Sequence, residues 1–133
     1  MNIIVCIDDN YGYSLFGKRQ SKDKLLCERI LSLVGEECLY MNEYSSKQFE
    51  DGLLAVCEEF LSVAAEGEYC FVENVPFSFE NCEKLVIYKW NRSYPSDIKL
   101  DYDFVRKNYT LISCDDFVGN SHQRITEEIY VKA

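Results

Sequence analysis

Apolar residues recur along this chain with two different periods, and the switch between them marks out its elements. Asn2 to Ile7, NIIVCI, is a continuous β-rich run, the pattern of a central strand covered on both faces. It breaks at Asp8-Asp9-Asn10, and Gly12 follows in a turn-like stretch where it is free to take a positive φ. Ser21 then precedes a longer period. Leu26, Ile30 and Leu33 fall on one stripe, widened by Leu25, Leu31 and Val34, while Lys24, Glu28 and Arg29 face out, so a helix ending at Gly35 is predicted. Glu37 to Asn42 reads as a second short strand. Tyr44-Ser45-Ser46 supplies an N-cap for a second predicted helix, on Phe49, Leu53, Val56, Cys57, Phe60, Leu61 and Ala64, closed by Gly67. Tyr69 to Val72 is another buried-type strand.

The second half changes character. Phe79 to Glu83 is a short stretch with helical spacing, Lys84 to Trp90 a clear strand, and Asn91 to Ser96 a turn around Pro95. Asp101 to Asn108 reads as irregular. Tyr109 to Cys114 and Ile125 to Lys132 are predicted as an antiparallel hairpin on the sheet edge, joined by DDFVGNSHQR. A strand–helix–strand–helix–strand opening followed by a hairpin predicts an α/β domain with a parallel sheet at its centre.

Composition narrows the class. With 133 residues, 47% of them apolar, the chain is one domain's worth and can bury a real core. Lys, Glu or Asp interrupts every apolar stretch before it reaches membrane-spanning length, and MNIIVCIDDN lacks the basic start of a signal peptide. The seven cysteines, Cys6, Cys27, Cys38, Cys57, Cys70, Cys82 and Cys114, are odd in number and form no CxxC pair. They read as free thiols of a reducing, cytoplasmic protein. One histidine, His122, and no paired cysteines leave zinc without a ligand set.

The formal net charge is −9, from 23 acidic against 14 basic residues, which disfavours nucleic acid as a partner. Lys18, Arg19, Lys22 and Lys24 form a basic exception, either a solvated helix entrance or a docking edge for an anionic small molecule or an acidic partner. Asp8-Asp9 and Asp115-Asp116 read as solvated turns at strand ends. Ser121 and His122 are adjacent in sequence, which does not place a nucleophile against its base. His122 reads as a loop residue of the last hairpin.

The opening strand, the Gly12 turn, a basic loop and a helix bearing Asp23 in SKDKLL, followed by YCFV, NCEKLVIYKW and a closing VGNSHQRITEEIYV, resemble dihydrofolate reductase shortened in its middle. The resemblance implies a dihydrofolate-reductase-like three-layer α/β/α fold, with a central mixed sheet and a C-terminal antiparallel hairpin, in one domain spanning residues 1–133. It gives Asp23 the place of the family's pocket carboxylate, which would hydrogen-bond a pterin-like edge and help protonate a ring nitrogen beside a hydride transfer. A helix cap, alone or with Ser21, is the competing role for Asp23. By position Cys6, Cys27, Val72 and Tyr88 would line the same substrate pocket, with Lys18 in the basic loop beside it. Tyr88 replaces a small hydroxyl residue of the family.

The departures fall on the cofactor side. Where the family has a Gly-Gly pair after the strand corresponding to YCFV, this chain has Glu73-Asn74, and a glutamate there crowds and repels a pyrophosphate. Where the family has Gly-Arg-x-Thr, this chain has Asn42-Glu43-Tyr44-Ser45, keeping only the hydroxyl of Ser45. Between Ser46 and Glu68 a helix is predicted in place of the family's adenine-side strands. A degenerate NADPH site is therefore expected, in a small-ligand or protein-binding module. An NAD(P)H-dependent reductase of a pterin or folate-like heterocycle is the alternative, and assembly through edge strands a third.

Overall fold

Alternate residues of β1 (Asn2–Ile7) feed two separate cores, which makes this strand the axis of the molecule. Ile3, Val5 and Ile7 point to one face and Ile4 and Cys6 to the other, as the two-residue period of a strand requires. The computed structural model describes all 133 residues. Its strands β2 (Gly12–Leu15) and β3 (Lys18–Arg19) lead into helix α1 (Lys24–Val34), then β4 (Leu39–Met41), the short helix α2 (Glu43–Ser46) and β5 (Leu54–Val56). A second short helix, α3 (Phe60–Val63), precedes β6 (Tyr69–Val72), β7 (Lys84–Lys89) and β8 (Ile98–Lys99). Helix α4 (Tyr102–Asn108) and the hairpin β9 (Tyr109–Phe117) and β10 (Ile125–Lys132) complete the chain.

Seven strands form one sheet in the order β5-β4-β6-β1-β7-β10-β9. The first five run parallel and β10 runs antiparallel to both of its neighbours. The chain crosses from the β4 side of β1 to the β7 side after β6, so the carboxyl ends of β1 and β6 flank a switch point of the kind where α/β sheets form their ligand crevice. A smaller sheet, β3-β2-β8, lies over that end. Leu26, Cys27, Ile30 and Val34 of α1 pack with Phe49 on one face, and Phe60, Tyr102 and Val105 of α3 and α4 pack on the other, giving three layers. No helix is long and apolar enough to cross a membrane.

Several local expectations need correction. The long second helix is absent: Gly52 stands at φ 108, outside helical geometry, and Leu54–Val56 pairs in parallel with β4. Its apparent stripe is not a buried face, since Leu53 and Val56 are exposed. The segment between Ser46 and Glu68 therefore does supply a strand to the sheet. Residues 79–83 form a turn rather than a helix, and 102–108 form a helix rather than irregular chain. Asp101 caps that helix by accepting from Phe104 N–H, and Arg106 and Lys107 suit its C-terminal dipole.

The buried stripe of α1 is Leu26, Cys27, Ile30 and Val34, with Leu25 turned outward. Gly12 is required by crowding rather than by a positive φ, because a Cβ there would lie 2.1 Å from Ser96 Oγ. Asp8 is not solvated: it is buried, accepting from Asn10, Gly12 and Tyr94 N–H. Asp115 and Asp116 belong to β9, where they meet Arg29 and Thr126.

Candidate functional site

The crevice at the carboxyl ends of β1 and β6 is closed by an ion pair. Arg19, at the end of the β2–β3 hairpin, donates from Nε to Glu73 Oε2 at 3.0 Å and from Nη2 to Glu73 Oε1 at 3.1 Å. The guanidinium lies over the Tyr44 ring, 4.1 Å from its centroid, and also donates to Tyr44 O. Gln48 Nε2 reaches the same carboxylate at 2.7 Å. Burial alone would lower the Arg19 pKa, but the Glu73 carboxylate raises it overall. A bidentate pair held by a stacked ring is rigid as well as strong.

Asn74 completes the closure. It accepts from Asn42 Nδ2 at 2.8 Å and donates to Gly17 O at 3.0 Å, tying the hairpin tip to the α2 entrance. What remains among Cys6, Tyr13, Arg19, Gln20, Val72 and Glu73 is a cavity of about 10 Å³. That is near the minimum for one water molecule. Ser45 is sealed in α2 and its Oγ has no partner.

The remaining residues of the expected pocket divide. Cys6 and Cys27 sit beside the ion pair, and burial, with the Glu73 charge next, raises both thiols, Cys27 to about 12. Tyr88 is buried beside Cys6, its neighbour across the strand pair, and its hydroxyl donates at 2.9 Å to Glu127 Oε2, the carboxylate that Arg29 of α1 also holds. Lys18 is exposed on the hairpin and joins none of these groups. No three His, Cys, Asp or Glu side chains converge as a metal site.

Asp23 is the N-cap of α1, and it is also more than a cap. Oδ1 accepts from Leu25, Leu26 and Asn120 N–H, at 3.0, 3.1 and 2.9 Å. Oδ2 accepts from Ser121 N–H at 2.8 Å and lies 2.9 Å from His122 Nδ1. Burial by itself would raise the Asp23 pKa, but the bonds from Asn120, His122, Ser121 and Leu26 outweigh it and hold the carboxyl well below the usual range. Ser21 does not cap the helix. Its hydroxyl lies 3.1 Å from His122 Nε2, with Tyr94 O–H at 3.3 Å from the same nitrogen. Trp90 stacks on the imidazole at 4.5 Å. The Asn-Ser-His of the last loop was the one signal in the sequence for this cluster.

Beyond Asp23, a groove of about 510 Å³ runs between α1 and residues 47–51. Leu31 and Phe49 supply apolar surface there, Lys22, Lys24 and Lys47 positive charge, and Glu28, Glu50 and Asp51 negative charge.

Among solved structures the chain is similar to dihydrofolate reductase from Enterococcus faecalis complexed with NADP(H) and RAB-propyl. The match covers 98% of this chain and 95% of that one, with a TM-score of 0.63 at 10% sequence identity. The fold is that of dihydrofolate reductase, and the mixed sheet with its closing hairpin agrees with the fold class expected from the sequence. No protein-family model and no curated sequence matches the chain.

Proposed function

We propose that this chain is a small-ligand-binding protein built on the dihydrofolate reductase fold, with its nucleotide crevice closed and its ligand held in the groove between α1 and residues 47–51. The Arg19–Glu73 pair carries this reading. It fills the switch-point crevice with a bonded carboxylate where a pyrophosphate would need donors. The groove beside it has the volume of a small-molecule site and joins the apolar surface of Leu31 and Phe49 to charges of both signs. Its ligand class is a small molecule that pairs an apolar body with a charged group, for which benzoate is the anionic probe.

The reductase reading has less support, because Asp23, its proton donor, already holds five hydrogen-bond partners within the protein. Assembly through β9 is also weaker. Leu111 and Ile112 are exposed on that edge, but the strand is bulged between Leu111 and Ser113 and carries Asp115 and Asp116, features that disfavour edge pairing.

Thermal-shift titration with NADPH, NADH, folate and benzoate tests the proposal. Benzoate should stabilise the protein, Lys47→Glu should remove that effect, and the dinucleotides should leave the melting temperature unchanged. A stabilisation of several degrees by NADPH, lost on changing Ser45 or Asn74, overturns it.

A further inference from the structure

The net charge of this protein is concentrated in one segment. Residues 48–83 hold nine of the 23 acidic residues and none of the 14 basic ones, so the rest of the chain is neutral overall and this segment carries the whole −9. Within it lies β5, one of the two edges of the main sheet. The strand belongs to a run of six uncharged residues, Gly52 to Cys57, bounded by Glu50-Asp51 on one side and Glu58-Glu59 on the other. All four acids are exposed and none forms an ion pair.

The backbone of β5 is open along its outer side. Leu53 O accepts from Leu39 N–H at 2.8 Å and Cys57 N–H donates to Met41 O at 3.0 Å, so residues 53, 55 and 57 turn their main-chain groups to β4. The intervening residues of a parallel ladder face the other way, which leaves the N–H and C=O of Leu54 and Val56 without a partner strand. Leu53 and Val56 are 62% and 48% exposed, so apolar side chains stand beside those free groups. Natural edges are blunted by a bulge, a proline or a charge on the strand. The opposite edge, β9, has a bulge and two aspartates, whereas β5 has none of the three. Its one protection is a length of three residues.

We infer that the outer edge of β5 binds a short, extended, basic segment of a protein partner, which adds to the sheet as a further strand. Main-chain pairing with Leu54 and Val56 holds the segment, and lysines or arginines at its two ends meet the two acidic pairs. A second copy of this chain is a poor occupant. Antiparallel pairing of β5 with itself sets Glu50-Asp51 opposite Glu58-Glu59, and parallel pairing sets each acidic pair against its own copy. The inference is independent of the ligand groove: Glu50 and Asp51 rim that groove, but Val56 and Glu59 do not.

The probe is a fluorescein-labelled peptide of alternating threonine and valine with a lysine pair at each end, titrated with the full chain and read by fluorescence anisotropy at low ionic strength. Saturable binding that weakens with salt is expected, with new protection from amide exchange at Leu54 and Val56. Val56→Pro removes one outward N–H and leaves the bonds to β4 in place. It should weaken binding about tenfold with the melting temperature retained. Glu59→Lys should weaken binding several-fold and flatten its salt dependence. A glutamate-flanked peptide, and the lysine peptide N-methylated along its centre, should not bind. Equal binding of the N-methylated peptide would reduce the contact to charge alone and overturn the inference. Protection at Leu111 and Ile112 of β9, an affinity unchanged by Val56→Pro, or no binding to the folded protein would each do the same. Self-association in light scattering that Val56→Pro abolishes would assign the edge to a second copy and overturn it as well.

Discussion

The Asp23 carboxylate and the His122 imidazole meet at 2.9 Å although 99 residues separate them in the chain. The contact joins the start of α1 to the loop between β9 and β10, so the last hairpin is locked onto the first helix through one buried acid. Cap, loop anchor and imidazole partner are a single group, and removing it should be felt in all three places.

Asp23→Ala leaves the Leu25, Leu26, Asn120 and Ser121 amides without their acceptor. A loss of about 3–5 kcal/mol is expected from urea denaturation, the range for breaking a buried pair. Asp23→Asn keeps a capping oxygen and should lose less. The folded pKa of Asp23 is depressed below the unfolded value near 3.9, so its stabilisation is present above that value and is lost as pH falls through the folded one. The stability gap between the native protein and Asp23→Asn should therefore hold at neutral pH and narrow below about pH 4. A gap that stays constant into strong acid would contradict the assignment.

Arg19 and Glu73 should be strongly coupled. Arg19→Met leaves Glu73, whose side chain is 7% exposed, with Gln48 as its remaining side-chain partner. Each single substitution is expected to lose about 2–3 kcal/mol, somewhat under the cost for a fully sealed pair because Arg19 retains some solvent contact. Arg19→Met with Glu73→Leu should recover much of that loss. A double-mutant cycle with no coupling would show that the crevice is closed by something else.

Gly119 is a packing requirement. A Cβ there would lie 2.5 Å from Asp23 Oδ2 and 2.9 Å from Ile125 Cδ1. Gly119→Ala should destabilise by about 1–3 kcal/mol and weaken the loop's hold on Asp23, visible as faster amide exchange at Asn120 and Ser121. Gly67→Ala meets open space but carries a φ of +82, so about 1 kcal/mol is expected there, with the exchange at Asn120 unchanged.

The thiols should separate by rate. Cys114 is exposed on β9, whereas burial raises the thiols of Cys6, Cys27, Cys70 and Cys82, Cys27 and Cys70 to about 12. Iodoacetamide at mildly alkaline pH should label Cys114 before any of these four, and mass mapping of a time course reads the order. Early labelling of Cys6, which lines the small cavity with Arg19 and Glu73, would show an open crevice there.

Much of the scaffold was legible because its signals are local. The runs in β1, β6 and β7 are apolar on both faces, as central parallel strands require, and α1 and the closing hairpin announce themselves by period and by Gly35. Residues 44–65 misled because Phe49, Leu53, Val56 and Phe60 are spaced like a helix face, while the register with β4 draws Leu54–Val56 into the sheet. Residues 102–108 read as irregular in sequence because seven residues give too little periodicity to outweigh their polar content.

By itself the sequence determined the elements around β1, the free thiols, the acidic surface and the altered residues Glu73, Asn74 and Ser45. Those follow from residue type and short-range order. Only the tertiary structure decided that Arg19 fills the crevice on Glu73, that Tyr88 bonds Glu127, and that Asp23, His122 and Ser21 form one chain of contacts. Those pairings join segments 54, 39 and up to 101 residues apart. No local pattern encodes them, because the strand order that brings their elements together is itself a product of packing.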